Sequence, residues 1–158
     1  MSCSIVREEI NLEDLRKRTQ DPQAGAVIIF CGDVRNHNQK KDVSFLEYEA
    51  HEKMALKQIK KIVEHAQQKW ELHKVEVIHR LGKLAVTDCS IAIAVSTSHR
   101  NEAYEASRYI IDTVKHSVPI WKKEHFVTGE SNWSEGCEAS SIIENSSEPP
   151  SAVIKQVH

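Results

Sequence analysis

The chain has 158 residues, 40% of them hydrophobic, and its 21 basic and 23 acidic side chains leave a formal charge of −2. That length suits one compact domain with its own core, and the near-balance of charge excludes a global pull toward nucleic acid or an anionic membrane. No stretch approaches the ~20 apolar residues of a membrane span and the N-terminus lacks an apolar signal core, so a soluble cytosolic protein is expected.

Residues 4–10 read as a first strand, and Asn11 is a candidate N-cap for a short helix over 12–18, with Asp14 in its first turn. Asp21-Pro22-Gln23 breaks that helix. Residues 25–32 form a nearly continuous apolar run rich in β-branched side chains, the pattern of a central strand covered on both faces. Residues 35–42 are wholly polar and predict a solvent-reaching loop, after which 43–50 resume as a strand.

Over residues 52–70, Met54, Ala55, Ile59, Ile62, Val63, Ala66 and Trp70 recur at three- and four-residue steps, which predicts an amphipathic helix with a lysine-rich outer face. Residues 75–81 and 90–96 read as strands separated by a turn near Gly82 and Asp88. A second long helix is expected over 99–115, with Ser98 as candidate cap and Ala103, Ala106, Ile110, Ile111 and Val114 facing inward. Lys115 falls in its last turn, where a cation suits the helix dipole. Pro119 stops the helix, residues 120–127 re-enter a sheet, and residues 129–133 make a turn ending on Trp133. Residues 137–158, rich in Ser, Glu and Pro, are expected to form a disordered tail to a single 1–136 domain. The order of elements predicts an α+β domain with a mixed β-sheet and two main helices.

Cys3, Cys31, Cys89 and Cys137 include no Cys-x-x-Cys pair, and none of the nine histidines forms a metal-gripping helical pair, so no metal site is expected. Nucleotide-binding glycine loops and the serine-nucleophile elbow are also absent. Three polar clusters remain at the ends of predicted core elements. Gly32-Asp33-Val34-Arg35 closes the apolar strand, Ser98-His99-Arg100 opens the second long helix, and Lys115 and Lys122 flank a Pro119-Ile120-Trp121 wedge. Each cluster alone reads as ordinary surface chemistry, an ion pair or a solvated amine. Together they offer several cations and an imidazole, a set suited to a phosphorylated substrate and to negative charge developing during a reaction.

A family resemblance rests on an ordered set of motifs between Gly25 and Trp133. Gly25-Ala26-Val27 leads to Phe30-x-Gly32-x-Val34-Arg35-x-x-Asn38, followed by Leu46-Glu47-Tyr48-Glu49, His79-Arg80-Leu81-Gly82, Ser98-His99-Arg100 and Pro119-Ile120-Trp121-Lys122-Lys123-Glu124. In that order they resemble the large, catalytic subunits of molybdopterin synthase. One departure is the 38–42 loop, where many members of that family carry a glycine and this chain does not.

The resemblance implies an α/β-hammerhead-like fold with a small antiparallel β appendage, and a sulfur transfer in molybdenum-cofactor biosynthesis. Cyclic pyranopterin monophosphate would receive two sulfurs as a dithiolene, each delivered by the C-terminal thiocarboxylate of a small ubiquitin-like partner. No permanently bound cofactor is implied, and no nucleophilic cysteine is needed because the sulfur arrives on the partner. Carried over by motif, Lys115 and Lys122 are the catalytic residues, and Arg35, His99 and Arg100 bind the substrate and its phosphate. Asp33, Val34, Lys123 and Glu124 would line the same site. A homodimer of this chain flanked by two small subunits is implied, with sites able to include residues of both copies. A non-catalytic scaffold that accepts a ubiquitin-like tail is the alternative, and the full polar set argues against it. An RNA-binding module built on Lys40-Lys41 and the lysine face of residues 57–61 is disfavoured by net acidity and sparse aromatics.

Overall fold

The computed structural model describes residues 2–135 and 143–144. Its elements are β1 (Ser2–Val6), α1 (Leu12–Arg18), β2 (Ala26–Asp33), β3 (His37–Asn38), β4 (Lys41–Ala50), α2 (Glu52–Lys69), β5 (Lys74–Arg80), β6 (Gly82–Ala85), β7 (Cys89–Thr97), α3 (Arg100–Ser117), β8 (Ile120–Phe126), β9 (Ser131–Glu135) and β10 (Ile143–Glu144).

The first sheet has the order β1-β5-β7-β2, with β1 parallel to β5 and the other pairs antiparallel. One face is covered by α2 and α3, whose inner stripes bring Ile59, Ile62, Val63 and Ile110 against Val77 and Ile93. Ile110 is completely buried, so Ile110→Ala would cost about 2–5 kcal/mol through the cavity it leaves. The opposite face is smaller and takes Leu15 of α1 against Ile78, Ala92 and Ala94. The short α1 is fixed locally: Asn11 Oδ1 accepts the Asp14 amide at 2.9 Å, and acidic residues precede basic ones along its axis.

The apolar run over residues 25–32 is a strand but not a central one. β2 lies at an edge of its sheet with most of its residues half-buried, and the inner strands are β5 and β7, the latter buried from Ser90 to Thr97. A continuous apolar run reports that both faces of a strand are packed, and carries no information on how many hydrogen-bonded neighbours it has.

The second sheet is antiparallel, order β10-β9-β8-β4-β3, with β6 also paired to β4. With six strands it is larger than the small appendage expected. The polar loop over residues 35–42 is shorter than expected, because His37 and Asn38 pair with Asp42 and Lys41 around a tight turn. Gln39 and Lys40 occupy that turn at φ 47° and 66°, a left-handed conformation that glycine would adopt without strain. Most of the tail expectation concerns residues outside those described. Ile143–Glu144 is the exception, pairing antiparallel with Trp133 and Asn132 of β9.

α3 belongs to the first layer and β8 to the second sheet, and only Val118 and Pro119, both buried, separate them. This short handover sets the last turn of α3 beside the start of β8.

Candidate active site

A cavity of about 510 Å³ opens at that handover, between the edge of the first sheet and the inner face of the second. On α3, helical spacing brings Ile111, Val114, Lys115 and Val118 to the cavity side. On β8, strand alternation does the same for Ile120, Lys122 and Glu124. These stand opposite Ala50, Tyr48 and Leu46 of β4, and Lys122 also stands opposite Ser134 of β9. Asp33, the last residue of β2, and Arg35, just beyond it, close the third side together with Asn38 of the hairpin. The result is a cavity with aliphatic side chains on one side and a predominantly polar remainder, in which three cations, Arg35, Lys115 and Lys122, outnumber the carboxylates of Asp33 and Glu124.

The cations differ in how they are held. Lys115 and Arg35 are exposed and enter no ion pair among the described residues. Lys122 is half-buried, with Nζ 3.7 Å from Glu124 Oε1. Glu124 itself is only 5% exposed, and its two oxygens accept hydrogen bonds from Asn38 Nδ2 at 2.7 and 2.9 Å. A buried carboxylate with these partners is satisfied, and it ties the β3–β4 hairpin to β8.

The floor is neutral. Tyr48 packs edge-on to His79, ring centroids 5.3 Å apart, and Ser90 Oγ donates to the Gly32 carbonyl at 2.8 Å. Burial raises the Tyr48 phenol above its ordinary pKa, opposed by a hydrogen bond with Ser90. Burial also lowers His79 from 6.5 to about 4, so the imidazole is uncharged near neutrality, and its Nδ1 lies 3.0 Å from the Arg80 carbonyl oxygen. The floor thus carries no charge near neutrality, while the rim carries three cations.

Five of the nine residues singled out by sequence, Asp33, Arg35, Lys115, Lys122 and Glu124, line this cavity. Four do not. Val34 is buried in the small cluster with Val43, Leu46, Leu84 and Phe126. Lys123 alternates to the outer face of β8, with Nζ over the Trp133 ring at 5.5 Å. His99 and Arg100 sit at the far end of α3 in a separate depression with Gly25, Ser98, Asn101 and Tyr104. Fifteen helical residues separate Arg100 from Lys115, about 22 Å along the axis. Ser98 does not cap α3 either, since its hydroxyl bonds His73 Nε2 at 2.8 Å and His99 holds the N-cap position.

Sequence reasoning passed over Tyr48, His79, Ser90, Asn38 and Ser134 as cavity residues. The period-two rule on β4 and β8 carried the signal for Tyr48, and would have excluded Lys123. Ser134 and Asn38 enter through pairings between strands distant in sequence, which no local pattern reports.

Fold and cavity together define an α+β protein with a largely polar cavity rimmed by three cations. The sequence model of the MoaE protein family matches residues 5–117, and the chain belongs to that family. It is 42% identical over 127 residues to the molybdopterin synthase catalytic subunit of Halalkalibacterium halodurans, covering 80% of this chain and 81% of that protein. The corresponding subunit of Thermoplasma volcanium is 42% identical over 129 residues, covering 82% and 94%. The crystal structure of a molybdopterin synthase from Staphylococcus aureus superposes with a TM-score of 0.77 at 40% identity, covering 82% of this chain and 93% of that one. No helix of the described residues is long and apolar enough to cross a membrane.

Proposed function

We propose that this chain is the catalytic subunit of a molybdopterin synthase, working in the cytosol on cyclic pyranopterin monophosphate with sulfur supplied by the C-terminal thiocarboxylate of a small ubiquitin-like partner. The observation that carries this is the convergence of Lys115, from the end of α3, and Lys122, from β8, on one cavity beside Arg35, in a member of this family. The aliphatic side and uncharged floor suit a pterin ring, and the three rim cations suit its phosphate and the partner's thiocarboxylate. The proposed reaction draws on no resident cofactor and no thiol of this chain.

Lys115 is assigned proton transfer and stabilisation of the charged intermediate, because its exposed helix-end position leaves the amine able to reach both reactants. Lys122, steadied by Glu124, is assigned the holding of an anion. His99 and Arg100 are too far along α3 to serve their own copy's cavity, which supports a dimer in which they complete the site of the second copy. Two small subunits would flank that dimer.

The test is reconstitution. The purified chain, mixed with thiocarboxylated small subunit and cyclic pyranopterin monophosphate, should yield the dithiolene product. A well-folded complex that forms none would reject the proposal, and a complex that binds the tail without turnover would identify a scaffold.

A further inference from the structure

We propose that Ser134 is a ligand-contacting residue of this cavity, its hydroxyl donating a hydrogen bond to the anionic group that Lys122 holds. The inference rests on the functional reading above and adds to it a residue that neither the motifs nor the cation set contains.

Ser134 is 6% exposed, lines the cavity, and its Oγ has no hydrogen-bond partner among the described residues. Several other buried hydroxyls are satisfied by the fold. Thr19 and Ser117 donate to carbonyls one turn back, Ser90 donates to Gly32, and Thr97 donates to the His99 carbonyl at 2.6 Å. His125 Nε2 faces Glu47 Oε1 at 2.8 Å, and the remaining buried polar side-chain atoms without partners among the described residues, on Gln58, Glu102 and Trp133, belong to residues that do not line the cavity. A buried hydroxyl left unpaired is costly, and its occurrence inside a ligand-sized cavity points to a partner that arrives with the ligand.

Position specifies the chemistry of that partner. Ser134 is the direct cross-strand neighbour of Lys122, so both side chains rise from the same patch of the β8–β9 ladder. Glu124, two residues along β8 on the same face, already accepts from Asn38 and pairs with Lys122. The hydroxyl therefore adds a neutral donor beside a fixed ammonium, a pairing suited to an oxyanion with more than one lone pair to satisfy. Two anions of the proposed reaction fit, the substrate's phosphate and the terminal thiocarboxylate of the partner's tail.

Steady-state kinetics on the complete complex separate them. One arm varies cyclic pyranopterin monophosphate and the other varies thiocarboxylated small subunit. Ser134→Ala should raise the KM for the phosphate substrate roughly tenfold, the size of one hydrogen bond to a charged acceptor, with kcat and thermal midpoint little changed. Ser134→Thr, which keeps the hydroxyl, should restore the wild-type value. A rise confined to the small-subunit arm would keep the hydrogen bond and reassign its acceptor to the thiocarboxylate. Unchanged constants in both arms for an active, folded Ser134→Ala complex would overturn the proposal. Failure of the functional reading is distinguishable, because the wild-type complex itself would then form no product.

Discussion

Asn38 Nδ2 donates to both carboxylate oxygens of Glu124, at 2.7 and 2.9 Å, across 86 residues of sequence. Through that contact and its 3.7 Å approach to Lys122, Glu124 joins the hairpin over the cavity to the strand that carries an anion-holding amine. Glu124→Gln keeps the shape but removes the charge and aims an amide at Lys122. Its expected effect is a rise in KM for the pterin substrate of at least about tenfold, because the amine loses its orienting partner. Michaelis constants measured at saturating small subunit check this, and a variant with wild-type KM would show that Glu124 serves the hairpin alone.

Burial holds the pKa of His79 at about 4 against 6.5 for an unperturbed imidazole. Its folded value is depressed, so the unfolded chain binds a proton between about pH 6.5 and 4 that the folded chain refuses. Stability is therefore complete above pH 6.5 and falls as the pH drops toward 4, by about 3 kcal/mol from this residue. Urea midpoints of wild type and His79→Phe between pH 7 and 4.5 test it. The wild-type curve should fall more steeply, and parallel curves would remove His79 as the cause.

The three thiols among the described residues should be inert. Burial pushes Cys89 up to about 12 and Cys3 up to about 11, and raises Cys31 as well, so little thiolate exists near neutral pH. Cys3→Ala, Cys31→Ala and Cys89→Ala should each retain sulfur transfer within about twofold, the range of ordinary repacking effects. Loss of transfer in a folded variant would give this chain a sulfur-carrying thiol and change the chemistry.

The legibility of the chain followed the range of each signal. Asn11 and the apolar spacing of Ala103, Ala106 and Ile110 are local, and they located α1 and α3 to within one or two residues. β6 went unseen because its four residues become a strand only by pairing with β4. The same limit explains the site. Lys115 and Lys122 were found because a short buried link joins their elements, whereas Ser134 and Asn38 arrive through long-range strand pairing. His99 and Arg100 carry the same cationic chemistry as the cavity rim, and sequence gives no measure of the 18-residue helix that parts them from it.

That separation makes the dimer testable. Lys115→Ala and Arg100→Ala chains should each be nearly inactive alone. Mixed and allowed to exchange, half of the dimers would be heterodimers with one intact site each, recovering roughly a quarter of wild-type activity. Absence of recovery, with exchange verified by mass, would place Arg100 outside the second copy's site.

The most direct measurement is single-turnover sulfur transfer by the reconstituted complex carrying Lys115→Ala, beside Lys122→Ala and wild type. Removing the proton-transferring amine should slow formation of the dithiolene by at least about 100-fold in Lys115→Ala while the small subunit still binds. Lys122→Ala should act mainly through weaker pterin binding. Near-normal transfer by a folded Lys115→Ala complex would contradict the assignment of this cavity's chemistry to Lys115.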